Sequence, residues 1–124
     1  MWFPDHPNWD WHEHWKGWPD KIEMLRPHAQ GLPIWITETG LATWDLALGR
    51  QSKYELQVEM LETALFDCPA ERVYWYSMID LDPARDAIEG FHVDENEYHM
   101  GLMKHDGYKK HAYHRLKELI SKAK

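Results

Sequence analysis

The sequence predicts an α/β fold built on parallel strands, and three observations carry that expectation. Segments of helical and strand character alternate in the order helix, strand, helix, strand, helix. The two strand segments are short, apolar and rich in β-branched and aromatic residues, as strands buried on both faces are. The connections between them are of helix length, which implies parallel strands with right-handed crossovers. Two such strands need neighbours and helical cover, so the chain reads as a slice of a larger architecture. With 124 residues, 44% of them hydrophobic, it has room for one core and no second.

Taken in order, Met1-Trp2-Phe3-Pro4 reads like the end of a strand running into a loop. Residues 5–18 are irregular and dense in aromatic and imidazole rings: Trp9, Trp11, Trp15 and Trp18 among His6, His12 and His14. Pro19 suits the first turn of a helix, where its missing N–H costs nothing. Ile22 and Leu25 give that helix an apolar side, and Gly31 and Pro33 mark its end. Pro33-Ile34-Trp35-Ile36-Thr37 is the first strand, stopping at Glu38-Thr39-Gly40, and a polar loop follows to Arg50. Ser52-Lys53-Tyr54-Glu55 has the form of a capping box, opening a helix whose apolar positions are Leu56, Met60, Leu61, Ala64 and Leu65. Cys68-Pro69 breaks that pattern. Val73-Tyr74-Trp75-Tyr76-Ser77-Met78-Ile79 is the second strand, ending at Asp80. The connection from Leu81 to Gly107 holds the acidic stretch Asp94-Glu95-Asn96-Glu97, which reads as a solvated loop. Ala112, Tyr113, Leu116, Leu119 and Ile120 form the apolar face of a last helix.

Composition narrows the function. A formal net charge of −7 argues against a protein that tracks phosphates, since that needs clustered Lys and Arg. The basic residues Lys104, Lys109, Lys110, Arg115, Lys117, Lys122 and Lys124 are expected on a solvated helix face. No run of about 18 apolar residues is present to span a membrane, and the first residues do not resemble a signal peptide. The single Cys68 allows no internal disulfide and is expected to be a buried thiol. His12 and His14 with His6 and Glu13, and His105, His111 and His114, lack a recognised metal-ligand spacing, so neither a metal nor a cofactor is expected. The 8 tryptophans exceed what one small core needs, and flat apolar rings with a polar edge suit a binding groove.

The segment Trp35-Ile36-Thr37-Glu38-Thr39-Gly40 carries the chemistry. A carboxylate at the C-terminal end of a buried strand is where barrel enzymes place catalytic groups. Alternation puts Ile34, Ile36 and Glu38 on one face, so Glu38 would cap whatever interior the isoleucines fill. The plainer alternative is a glutamate that merely starts a loop.

Ile36-Thr37-Glu38-Thr39-Gly40 is similar to the I/V-T-E-N-G motif of family-1 β-glycosidases, and to related motifs among (β/α)8 retaining glycosidases, in which this glutamate ends strand seven and is the nucleophile. Trp75-Tyr76-Ser77-Met78-Ile79-Asp80 resembles their strand eight, and Phe3-Pro4 the close of strand six. Gly101-Leu102-Met103 through Asp106-Gly107 and Lys110-His111-Ala112-Tyr113 is similar to their C-terminal ending. Thr39 stands where family 1 has Asn, and His111 where the usual residue is Pro, which bears on the particular family more than on the superfamily.

The resemblance implies the C-terminal segment of a TIM (β/α)8 barrel, a single partial domain over residues 1–124 holding the strand six to eight region. It also implies hydrolysis of β-linked sugars by double displacement, with Glu38 as nucleophile. The partner acid/base should lie on strand four and is absent; Asn96-Glu97 follows Glu38 instead of preceding it. A full barrel needs about 250 residues, so the chain alone is not expected to turn over, and the missing barrel portion or further copies of the chain are its expected partners beside a carbohydrate. Resemblance to the W-Y pattern makes Trp75 the sugar-stacking residue, whereas alignment on Ser77 favours Tyr76; alternation lets only one face the cleft. The alternative class is a non-catalytic carbohydrate-binding or oligomerising half-barrel module.

Overall fold

The computed structural model describes residues 17–85 and 95–123, so Phe3-Pro4, the histidines His6, His12 and His14, Glu13 and Asp94 lie outside the described residues. Helix α1 (Gly17–Leu25) carries Pro19 in its first turn and buries Ile22, while Leu25 is exposed. A 3₁₀ turn, Arg26–Ala29, follows. Gln30 (φ 53°) and Gly31 (φ 82°) then pass through left-handed conformations that redirect the chain into the sheet.

β1 (Trp35–Thr39) and β4 (Arg72–Trp75) form a two-stranded parallel sheet, with α2 (Tyr54–Phe66) between them in sequence. The α/β alternation and parallel pairing therefore stand. The strands are not buried on both faces, however: Trp35 is 51% and Tyr74 45% exposed. Helical cover lies on one side only among the described residues. There Leu61 of α2, Leu102 and Ala112 of α4 (His111–Lys122) form the core, with Val58, Trp75, Tyr113 and Leu116 packed against it. Leu65 and Ile120, expected on the apolar faces of these two helices, are exposed.

The second strand is shorter than its apolar run because its hydrogen-bond partner changes. Tyr76 N still donates to Thr39 O at 2.7 Å, but Ser77 N donates to Met100 O at 3.1 Å. Met103 N then donates to Met78 O and Asp80 N to Met103 O, at 3.0 and 2.8 Å, so residues 77–80 run beside 100–103. The Tyr76–Ser77 peptide is cis.

The expected polar loop after β1 contains a hairpin, β2 (Trp44–Asp45) antiparallel to β3 (Arg50–Gln51). Asp45 Oδ1 accepts hydrogen bonds from Ala47 N and Leu48 N at 2.9 and 3.1 Å, the local chemistry that lets Asp start a turn. The hairpin also overturns the capping box. Ser52 Oγ donates to Asp45 Oδ2 at 3.2 Å, and Glu55 pairs with His111, so neither side chain caps α2.

Candidate active site

β1 and β4 end side by side, and Glu38 is the penultimate residue of β1. Ile36 stands opposite Val73 and Thr39 opposite Trp75, so three steps on β1 match two on β4. This irregularity changes the expected alternation. Ile36 shares the face of Val73 and Trp75, whereas Glu38 falls on the opposite face with Tyr76. The strict alternation that placed Ile36 and Glu38 together is corrected by that one extra residue.

Gly40 makes the close approach possible. A Cβ there would stand 2.1 Å from Tyr76 O and 3.1 Å from Met100 Cε, so only glycine lets the chain pass. The end of β1, Tyr76 and the segment around Met100 thus meet at one point. Burial raises the Tyr76 phenol above its ordinary pKa of 10.0, and the negative charges of Glu97 and Glu38 raise it further. Both carboxylates therefore act on the Tyr76 hydroxyl.

Of the two aromatic residues singled out in sequence, Trp75 packs against the Leu61–Leu102–Ala112 core, and its buried Nε1–H has no acceptor among the described residues. Tyr76 is the one beside Glu38. Asn96 and Glu97 are not a solvated loop pair either: both are half-buried on the short helix α3 (Glu95–Tyr98). Tyr98 is fully buried, and its hydroxyl donates to Arg85 O at 2.9 Å. The run Tyr98-His99-Met100-Gly101-Leu102, all buried, was the available signal that the preceding acidic residues border a packed segment.

Beneath these loops lies a polar network that sequence reasoning missed. Lys110, expected on a solvated face, has no exposed surface; its Nζ donates to Asp80 Oδ1 at 2.7 Å and Thr43 Oγ1 at 2.9 Å. Burial pushes the Lys110 ammonium below its ordinary pKa, with Asp80 pulling it partly back. Gly101 N donates to Asp80 Oδ1 at 2.8 Å, and a Cβ at Gly101 would stand 2.3 Å from Asp80 N. His99 stacks on Trp44 at 4.7 Å between ring centroids, with Nε2 3.2 Å from Glu95 Oε2 and Nδ1 3.7 Å from Asp80 Oδ2. Gln57 Nε2 donates to Leu41 O and Gly101 O, both at 3.0 Å, fastening α2 to the loops that follow β1 and α3.

The remaining histidines are dispersed: His111 pairs with Glu55 at 2.5 Å, His105 stands 3.8 Å from Asp82, and His114 meets the Tyr113 ring edge-on. Among the described residues no group of three His, Cys, Asp or Glu side chains is placed to hold a metal ion. Cys68 is free and half-buried, more accessible than expected. No helix of the described residues is long and apolar enough to cross a membrane. Compared with protein-family models and with curated proteins, the chain matches none.

Proposed function

We propose that this chain is the C-terminal part of a (β/α)8 glycoside hydrolase that cleaves β-linked sugars with retention, with Glu38 as nucleophile and Tyr76 lining the sugar site. The observation that carries the reading is the placement of Glu38 and Tyr76 on one face at the adjoining C-terminal ends of two parallel strands. In a barrel the catalytic groups occupy that rim. One-sided helical cover also suits a barrel segment. The helices pack on the face of Val73 and Trp75, and Tyr74 on the other face would look into the interior.

In this mechanism the Glu38 carboxylate attacks the anomeric carbon as the bond to the leaving-group oxygen breaks. A second carboxyl, about 5–5.5 Å away, gives that oxygen its proton and later takes one from the water that releases the sugar. That second group belongs to a part of the barrel not in this chain. The Tyr76 phenol, like any tyrosine, is protonated at neutral pH, so it can donate a hydrogen bond to the sugar or to the nucleophile.

A mechanism-based fluoroglycoside with mass-spectrometric detection tests the assignment, using the chain alone and mixed with a candidate N-terminal barrel portion. A sugar adduct on Glu38 in the mixture, abolished by Glu38→Gln, is the expected result. If neither sample is labelled while the chain is folded and binds glycans, the nucleophile assignment fails and the non-catalytic binding module takes its place.

A further inference from the structure

We propose that Gln57 is a positioning residue of this site, setting from α2 the spacing between the end of β1 that carries Glu38 and the segment that carries Tyr76. The inference rests on the glycosidase reading above.

Its contacts are the first argument. Gln57 is fully buried, and its Nε2 donates to Leu41 O and to Gly101 O, both at 3.0 Å. Carbonyls only accept, so both amide N–H groups are committed and the orientation of the side chain is fixed. One nitrogen with two donors and no charge is what two buried carbonyls on separate segments require.

The second argument is where those carbonyls lie. Leu41 is three residues beyond Glu38, and residues 39–43 are all buried although Glu38 itself is exposed. Gly101 follows Met100, whose O accepts from Ser77 N at 3.1 Å. Leu102 N donates to Ser77 O at 3.1 Å, and Tyr76 N to Thr39 O at 2.7 Å. These contacts close a circuit. It runs from Gln57 through Leu41 and Gly40 to Thr39, across to Tyr76 and Ser77, and back through Met100 and Gly101. Glu38 and Tyr76 flank the point where the circuit crosses from one strand end to the other. Every other link is made by the backbone, so Gln57 is the side chain whose replacement opens the circuit while leaving the strand pairing in place.

The third is magnitude. A misplacement of about 1 Å caused by a residue away from the chemistry can cost on the order of a hundredfold in rate. Gln57 needs no contact with the sugar to have that effect.

The test uses the full chain with a saturating amount of the candidate N-terminal barrel portion and an excess of the mechanism-based fluoroglycoside. The rate constant for adduct formation on Glu38 and the fraction of chain labelled are then read separately. Gln57→Met keeps the length of the side chain and removes both donors, and is expected to label about ten- to a hundredfold more slowly. A merely structural role would lower the fraction labelled and leave the rate constant of the folded remainder unchanged. Gln57→Asn keeps both donors one methylene short and is expected to label at a rate between those of the parent and Gln57→Met. It is the deciding variant if Gln57→Met lacks the near-ultraviolet circular dichroism of a folded chain. A parental rate constant, a loss confined to the fraction labelled, or failure of both variants to fold overturns the proposal and leaves Glu38 standing as nucleophile. Absence of any adduct in the unsubstituted mixture overturns both.

Discussion

At the scale of single residues, Lys110 and Asp80 carry the largest electrostatic stake. Both side chains are almost wholly buried, and Asp80 Oδ1 takes hydrogen bonds from Lys110 Nζ and Gly101 N. Breaking a buried pair by removing one partner typically costs about 3–5 kcal/mol, because the other charge stays buried. Lys110→Met is therefore expected to destabilise the chain by about that amount in urea unfolding, and Lys110→Met with Asp80→Asn by clearly less than the two single changes added. Additive losses would mean that the pair is not coupled. Sequence gave no hint of this role. Lys110 looks like its basic neighbours, and its partner lies 30 residues away. The place of Glu38 near a strand end was legible for the opposite reason, since the apolar strand, the carboxylate and Gly40 follow one another within a few residues. The need for that glycine was not legible, because it comes from Tyr76, just past the end of β4 and far away in sequence.

At the scale of elements, the parallel pair is fastened at its start by Glu71. Glu71 N donates to Ile34 O at 2.9 Å, and its carboxylate accepts from Ile34 N at 2.6 Å and from Arg26 at 2.5 Å. The hydrogen bond from Ile34 N, then that from Arg26, holds the Glu71 carboxyl below its ordinary pKa of 4.5. The unfolded chain thus takes up this proton at higher pH than the folded one. The stabilisation is complete above the ordinary value and is lost as pH falls through the lowered one. Glu71→Gln is expected to be less stable than the parent at neutral pH, with the gap closing on acidification; urea midpoints down to about pH 3 measure it. A constant gap would show that the carboxylate charge is not what fastens the strands. The long elements, α2, α4 and the core of β1, could be read from periodicity and β-branching because each spans enough residues to show a pattern. The two-residue strands of the hairpin show none. The division of residues 73–79 between two partners is set by backbone pairing, which the largely apolar run does not encode.

For the molecule as a whole, the uneven covering of the sheet matters most. Val73 and Trp75 look toward α2 and α4, while Trp35 and Tyr74 stand exposed with their rings 6.4 Å apart and the Arg72 guanidinium 5.1 Å over Trp35. Contiguous apolar surface of this kind marks a place where something else docks, and in the barrel reading it is the wall of the interior. The native chain is accordingly expected to bind the dye 1-anilinonaphthalene-8-sulfonate at neutral pH while keeping its near-ultraviolet circular dichroism, which separates an exposed native face from a molten state. Trp35→Ser combined with Tyr74→Ser should remove most of that binding, and the candidate N-terminal barrel portion should displace the dye from the unsubstituted chain. Dye binding untouched by the double substitution would place the accessible apolar surface elsewhere. Dye retained in the presence of the N-terminal portion would count against this face as the barrel interior, because a closed barrel fills that space with its own side chains.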